Sequence, residues 1–179
     1  MTETQLYIER LHALRQDLLK AMEGLNAAGL NWKPTRRETN SAFVLATHML
    51  GSERHWIHRV VGGREVQRDR DAEFRARGKD ARGFAGEFAI VAKTSEEILG
   101  KLTTADWDAM RDAPASYGAR STRWCILHLI EHYAEQVGQV SLTGQMWEEE
   151  QGTRKNAKKV RRAKAAKGTR KDAKPKRKK

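Results

Sequence analysis

Residues 123–139 read RWCILHLIEHYAEQVGQ. Ile126, Leu127, Ile130, Ala134 and Val137 recur at spacings of three and four, the signature of a helix with one buried face. The same helix carries His128 and His132 one turn apart. Side chains at i and i+4 point the same way, which is what two ligands of one ion require. On a helical wheel of ~100° per residue, His132 and Gln136 fall just outside one edge of the apolar arc, close to Leu129. His128 lies further round, towards Glu131 and Glu135. Edge positions face a cleft without belonging to the dry core.

Three more segments carry the same period. Over 4–25, Leu11, Leu14, Leu18, Met22 and Leu25 line up, with charged residues between them. Over 41–61 the apolar face is Phe43, Ala46, Leu50, Ile57 and Val61, and Gly62–Gly63 stops the helix. Asn40 or Ser41 caps its start, and Ser121 or Thr122 caps the last helix. Over 81–102 the inward residues are Phe84, Phe88, Val91, Ile98 and Leu102. Residues 64–79, REVQRDRDAEFRARGK, read as an exposed charged loop with room for a short helix. The last helix extends over 122–149. There is no useful alternation of period two and no internal repeat. Four amphipathic helices around one core predict an all-α fold, a four-helix bundle with long connections.

The formal charge of +12 over 179 residues is unevenly placed. Residues 152–179 hold 15 Lys or Arg and one Asp, a net of +14, which leaves −2 for residues 1–151. The chain therefore divides into a bundle over 1–151 and a Lys/Arg-rich tail over 152–179. The tail has no stripe to bury and is expected to be disordered alone. Arg154, Lys155, Lys158, Lys159, Arg161, Arg162, Lys164 and Lys167 offer a polyanion a dense positive run, which favours non-specific nucleic-acid attachment. The tail has no aromatic residue and so no base-stacking platform. The single cysteine, Cys125, excludes an internal disulfide. With no apolar leader and no run near the ~20 residues that span a bilayer, a cytoplasmic protein is expected, with no membrane partner.

Six histidines are present: His12, His48, His55, His58, His128 and His132. Bundle metal sites are built from side chains on facing helices, and His48, beside the apolar arc of the second helix, is the best-placed partner for the last helix. His12, His55 and His58 sit among charged residues with no partner at metal spacing.

FVLATHMLGSERHWI (residues 43–57), RWCILHLIEHYAEQVGQVSLTGQMW (residues 123–147) and the lead-in LNWKPTRRETNS (residues 30–41) resemble the DinB/YfiT-like superfamily. The nearest branch is similar to the DinB-like domains related to mycothiol-dependent maleylpyruvate isomerases. The resemblance covers roughly residues 5–149. It implies a divalent metal, zinc or nickel, held by one histidine of the second helix and two of the last. His48 matches the first and His132 the second. The third position, four residues on and just before Gly138–Gln139, is held by Gln136, a weaker neutral ligand than imidazole. Either Gln136 binds poorly, or His128 substitutes, or water completes a two-histidine site, or the metal has been lost. The resemblance also implies a low-molecular-weight thiol cofactor, and homodimers are common among such proteins.

The function expected is that of a divalent-metal-binding protein, a thiol-dependent transferase or metal-dependent hydrolase. The sequence names neither its small-molecule substrate nor its catalytic residues. The alternative is a non-catalytic bundle tethered to nucleic acid by its tail. Glu53, Glu131 and Glu135 are the nearby acid–base candidates, and each reads more simply as a solvated helix-face charge. Cys125 reads as packing.

Overall fold

The computed structural model describes residues 1–35 and 38–171, with side chains as far as 162. The chain divides into two compact units, Met1–Gly144 and Gln145–Lys179.

Met1–Gly144 is built on four long helices. α1 (Glu3–Ala21) opens on a capping box in which Thr2 and Gln5 satisfy each other's backbone N–H groups. α2 (Ala27–Leu30) is a single turn capped by Asn26. α3 (Ala42–Glu53) starts at Ser41, whose hydroxyl accepts from Val44 N–H, and continues as a π-helix, Arg54–Val61. Gly63, at φ +63°, ends it in a conformation that favours glycine. α4 (Arg70–Arg75) is short, and α5 (Arg82–Leu99) is the third long helix. α6 (Thr104–Asp108) leads into a two-residue antiparallel ribbon, β1 (Met110–Arg111) against β2 (Arg120–Ser121). α7 (Thr122–Lys171) begins where Ser121 accepts from Trp124 N–H.

The core joins Leu11, Leu14 and Leu18 to Met49, Ile57, Phe88, Leu99, Ile126, Leu129 and Tyr133. Each large apolar side chain fully buried contributes about 1.5–3 kcal/mol. The expected faces of the first three helices are the buried ones, but that of α7 is rotated. Leu127 is exposed, as is Ala134, whereas Cys125, Leu129, Tyr133, Gln136 and Val140 are buried. The apolar count missed that Tyr133 fills a core position, because its hydroxyl donates to Glu53 2.7 Å away.

Glu53 is fully buried, which corrects its reading as a solvated charge. Its carboxylate accepts from Arg15 on α1 at 2.5 and 3.0 Å, from Ser95 on α5 at 2.6 Å and from Tyr133 on α7. One side chain thus links all four long helices. Burial opposes the Arg15 charge, but the Glu53 hydrogen bond and charge outweigh it and hold the guanidinium above its usual range.

In the π-helical segment Trp56, Ile57 and His58 are consecutive and all buried. Such segments are frequent at functional sites. His58 is therefore not among surface charges as its sequence neighbours suggested. Its Nε2 lies 3.2 Å from the Val91 carbonyl and 3.1 Å from Ser95 Oγ.

In Gln145–Lys179, α7 continues through Lys171, where the sequence pointed to a disordered tail from 152. Residues 152–162 are exposed and bury no stripe, so helix propensity and the Arg154–Glu150 pair at i, i+4 are what favour the helix there. The expectation for 172–179, and that for the side chains of Lys164 and Lys167, lies outside the described residues. Among the described residues no helix is long and apolar enough to cross a membrane.

Candidate functional site

His48 projects from α3 and is buried. Its Nδ1 is 2.8 Å from Oε2 of Glu73, which α4 brings in from the charged connection. A carboxylate only accepts, so the shared proton belongs to Nδ1 and Nε2 is the acceptor, with the Ser52 hydroxyl 3.4 Å away to donate to it. Arg68 grips both Glu73 oxygens, Nε to Oε1 at 2.7 Å and Nη2 to Oε2 at 2.9 Å. Burial raises the Glu73 carboxyl, but these bonds overcome it and hold it below the usual carboxylate range. Burial is also the largest influence on His48 and drives it below an ordinary imidazole despite the pull of Glu73.

Glu73 reaches this position because residue 51 is glycine. A Cβ there would lie 1.9 Å from Glu73 Oε1. Glycine inside a helix costs roughly 0.5–1 kcal/mol relative to alanine, and here it admits the carboxylate.

His132 faces His48 from α7, with ring centroids 5.1 Å apart and planes at 68°. Its Nδ1 is buried without a hydrogen-bond partner among the described residues, and so is Oε1 of Gln136 one turn on. Burial, then the charges of the neighbouring histidines and arginines, lower the His132 imidazole to about 4. His128 occupies different surroundings. It stacks on Trp124 at 4.9 Å and 8°, meets Trp56 edge-on at 4.9 Å, and lies 6.2 Å from His132. Tyr117 completes this aromatic cluster, 5.4 Å from Trp56 and 5.1 Å from His128. The ribbon and the turn closed by Tyr117 N–H on the Pro114 carbonyl at 2.8 Å place it there. Around these groups is a cleft of about 440 Å³.

A family model for mycothiol-S-transferase matches residues 7–146. The chain belongs to the mycothiol-S-transferase family. Its wider grouping is the DinB/YfiT-like superfamily. The fold is similar to that of a DinB-like protein from Bacillus cereus ATCC 10987, with 15% identity and a TM-score of 0.61 over 78% of this chain and 89% of that one. It is also similar to a conserved protein from Enterococcus faecalis, with 12% identity and a TM-score of 0.62 over 82% and 97%. At such identities the likeness concerns the fold. No curated protein matches the chain significantly.

Within this family member, the histidines singled out in the sequence divide by position. His48 and His132 meet, Gln136 is buried one turn beyond His132, and His128 lines the same cleft as part of the aromatic wall. His12 is exposed, and His55 lines the cleft. Glu131 and Glu135 are exposed, as a solvated helix face requires. Cys125 is buried, and burial pushes its thiol up, which fits packing and not nucleophilic chemistry. Glu73 and Arg68 escaped the sequence reading, hidden in a run that looked uniformly solvated. Gly51 in mid-helix was the one local sign of a close approach.

Proposed function

We propose that the chain is a divalent-metal-dependent thiol transferase, with His48 and His132 as the imidazole ligands and Gln136 as a neutral third donor. The observation that carries this reading is the facing pair of imidazoles beside two orphaned buried polar atoms, His132 Nδ1 and Gln136 Oε1. Two imidazoles on one tetrahedral ion have centroids roughly 5 Å apart, which suits the observed 5.1 Å. Among the described residues no three His, Cys, Asp or Glu side chains form a metal-sized group, so the amide oxygen is what this chain offers next.

Zinc or nickel bound there would lower the pKa of a coordinated low-molecular-weight thiol and so supply a nucleophile near neutral pH. The chain's own part is positional. Arg68 fixes Glu73, Glu73 fixes the tautomer and ring angle of His48, and Gly51 makes room for that carboxylate. His132 stays neutral at neutral pH and keeps one ring-nitrogen lone pair. Hydrolysis of a substrate by the same ion is the variant of this reading that the thiol assay separates.

Elemental analysis of the purified full chain is expected to find about one zinc or nickel ion per chain. The His48→Ala/His132→Ala double variant is expected to lose it together with thiol-transfer activity, while retaining its helical circular dichroism. Equal, negligible metal in both proteins would end the metal reading.

A second reading concerns the tail. Arg154, Lys155, Lys158, Lys159, Arg161 and Arg162 are exposed, and of these Arg154 alone forms an ion pair among the described residues. This supports non-specific attachment to nucleic acid through counterion release. Anisotropy titrations of a duplex oligonucleotide are expected to show binding that weakens by roughly 10³-fold or more between 50 and 200 mM salt. A 1–151 truncation is expected to show almost none. Undiminished binding by the truncation would remove the tail from the account.

A further inference from the structure

The cleft that holds His48 and His132 is bordered by three arginines, Arg59, Arg68 and Arg70, and by no carboxylate on that side. Arg68 is neutralised by Glu73. Arg59 and Arg70 form no ion pair among the described residues. Arg70 lies 4.8 Å over the Phe74 ring, a cation–π contact that leaves its in-plane N–H donors available. Two guanidinium groups with unspent donors therefore border a cleft that Trp56, Tyr117 and His128 also line. Glu131 and Glu135, on α7, line an adjoining cleft that shares Arg70, His48, Tyr117, His128 and His132 but not Arg59, so their repulsion favours the Arg59 end for negative charge.

We propose that this cleft binds a planar aromatic carboxylate, its carboxylate on Arg59 and Arg70 and its ring against Trp56, Tyr117 and His128. Guanidinium donors match a carboxylate geometrically, and aromatic faces take a flat ring at low entropic cost. The proposal deepens the transferase reading and rests on it only for the role of the ligand, which is that of the acceptor and not of the thiol.

Calorimetric titration of the full chain with 2-naphthoate and its neutral analogue 2-naphthamide tests this. The acid is expected to bind about tenfold tighter or more, as a charge-assisted hydrogen bond implies. In an Arg59→Gln/Arg70→Gln variant, whose replaced side chains are exposed, the acid and the amide are expected to bind alike. Tyr117→Ala, at a half-exposed ring, is expected to weaken both ligands several-fold. The preference for the acid is expected to survive chelator treatment and the His48→Ala/His132→Ala variant. That arm separates the two readings, since a chain without metal that still prefers the acid keeps this inference and loses the other. Equal binding of acid and amide by the unaltered chain would overturn it. So would a preference that persists in the arginine variant or vanishes with chelator. Displacement of naphthoate by equimolar N-acetylcysteine, a carboxylate-bearing thiol with no ring, would assign the arginines to the thiol and overturn it as well.

Discussion

Truncating Glu53 to alanine is expected to destabilise the bundle by about 3–5 kcal/mol, the range for breaking one side of a buried ion pair. The substitution leaves Arg15, only 3% exposed, without its hydrogen-bonded counter-ion, and strips Tyr133 and Ser95 of their shared acceptor. For a chain of this length the loss corresponds to a fall of roughly 6–20 °C in Tm. Against a domain stability of about 5–15 kcal/mol, the variant stands near the edge of folding. The penalty belongs to the stranded charge, not to the pair as such. An Arg15→Met/Glu53→Leu double variant, which removes both charges at similar volume, is therefore expected to regain much of the stability. Glu53→Gln, which keeps an acceptor but loses the charge, is expected to fall between. Urea denaturation of the set decides it: if Glu53→Ala costs under about 1 kcal/mol, the network does not hold the helices together.

That network also marks where the sequence stopped being legible. Helix positions, caps and the faces of the first three long helices depend on neighbours within a turn, and a period of 3.6 reads them. The Ser41 and Ser121 caps and the Gly62–Gly63 stop lie where local chemistry puts them. The buried face of α7 was misplaced because an apolar count treats Tyr133 as ambiguous and Glu53 as surface. Only a partner 80 residues away makes both of them core residues. The contact between Glu73 and His48 has the same character. It depends on the path of a charged connection across a glycine, and no periodicity encodes a path. The meeting of His48 with His132 was legible because each lies at the edge of its own helix's apolar stripe, and two such edges on packed helices share a cleft.

The last expectation follows from how many imidazoles the fold keeps from water. His48, His55, His58, His128 and His132 are all held below the ordinary histidine range, with burial the largest cause in each, and His132 reaches about 4. In the unfolded chain each titrates near its ordinary value of about 6.5. Below that pH the unfolded state takes up protons that the folded state refuses, so acid favours unfolding. The stability is fully present above about pH 6.5 and is lost as pH falls towards 4. Each excluded proton adds a slope of at most about 1.4 kcal/mol per pH unit, less where solvent still screens the ring. Glu73, held low by Arg68 and His48, acts with the same sign in a lower window, because its carboxylate stabilises the fold until it is protonated. Thermal melts in chelator are therefore expected to drop steeply between pH 7 and 4.5, with most of the loss below 6.5. A His132→Gln variant should melt with a shallower pH dependence, by up to one proton, since its amide does not titrate. A wild-type Tm that is flat across this range, or a variant whose slope matches it, would mean that the imidazoles titrate in the folded chain as they do in the unfolded one.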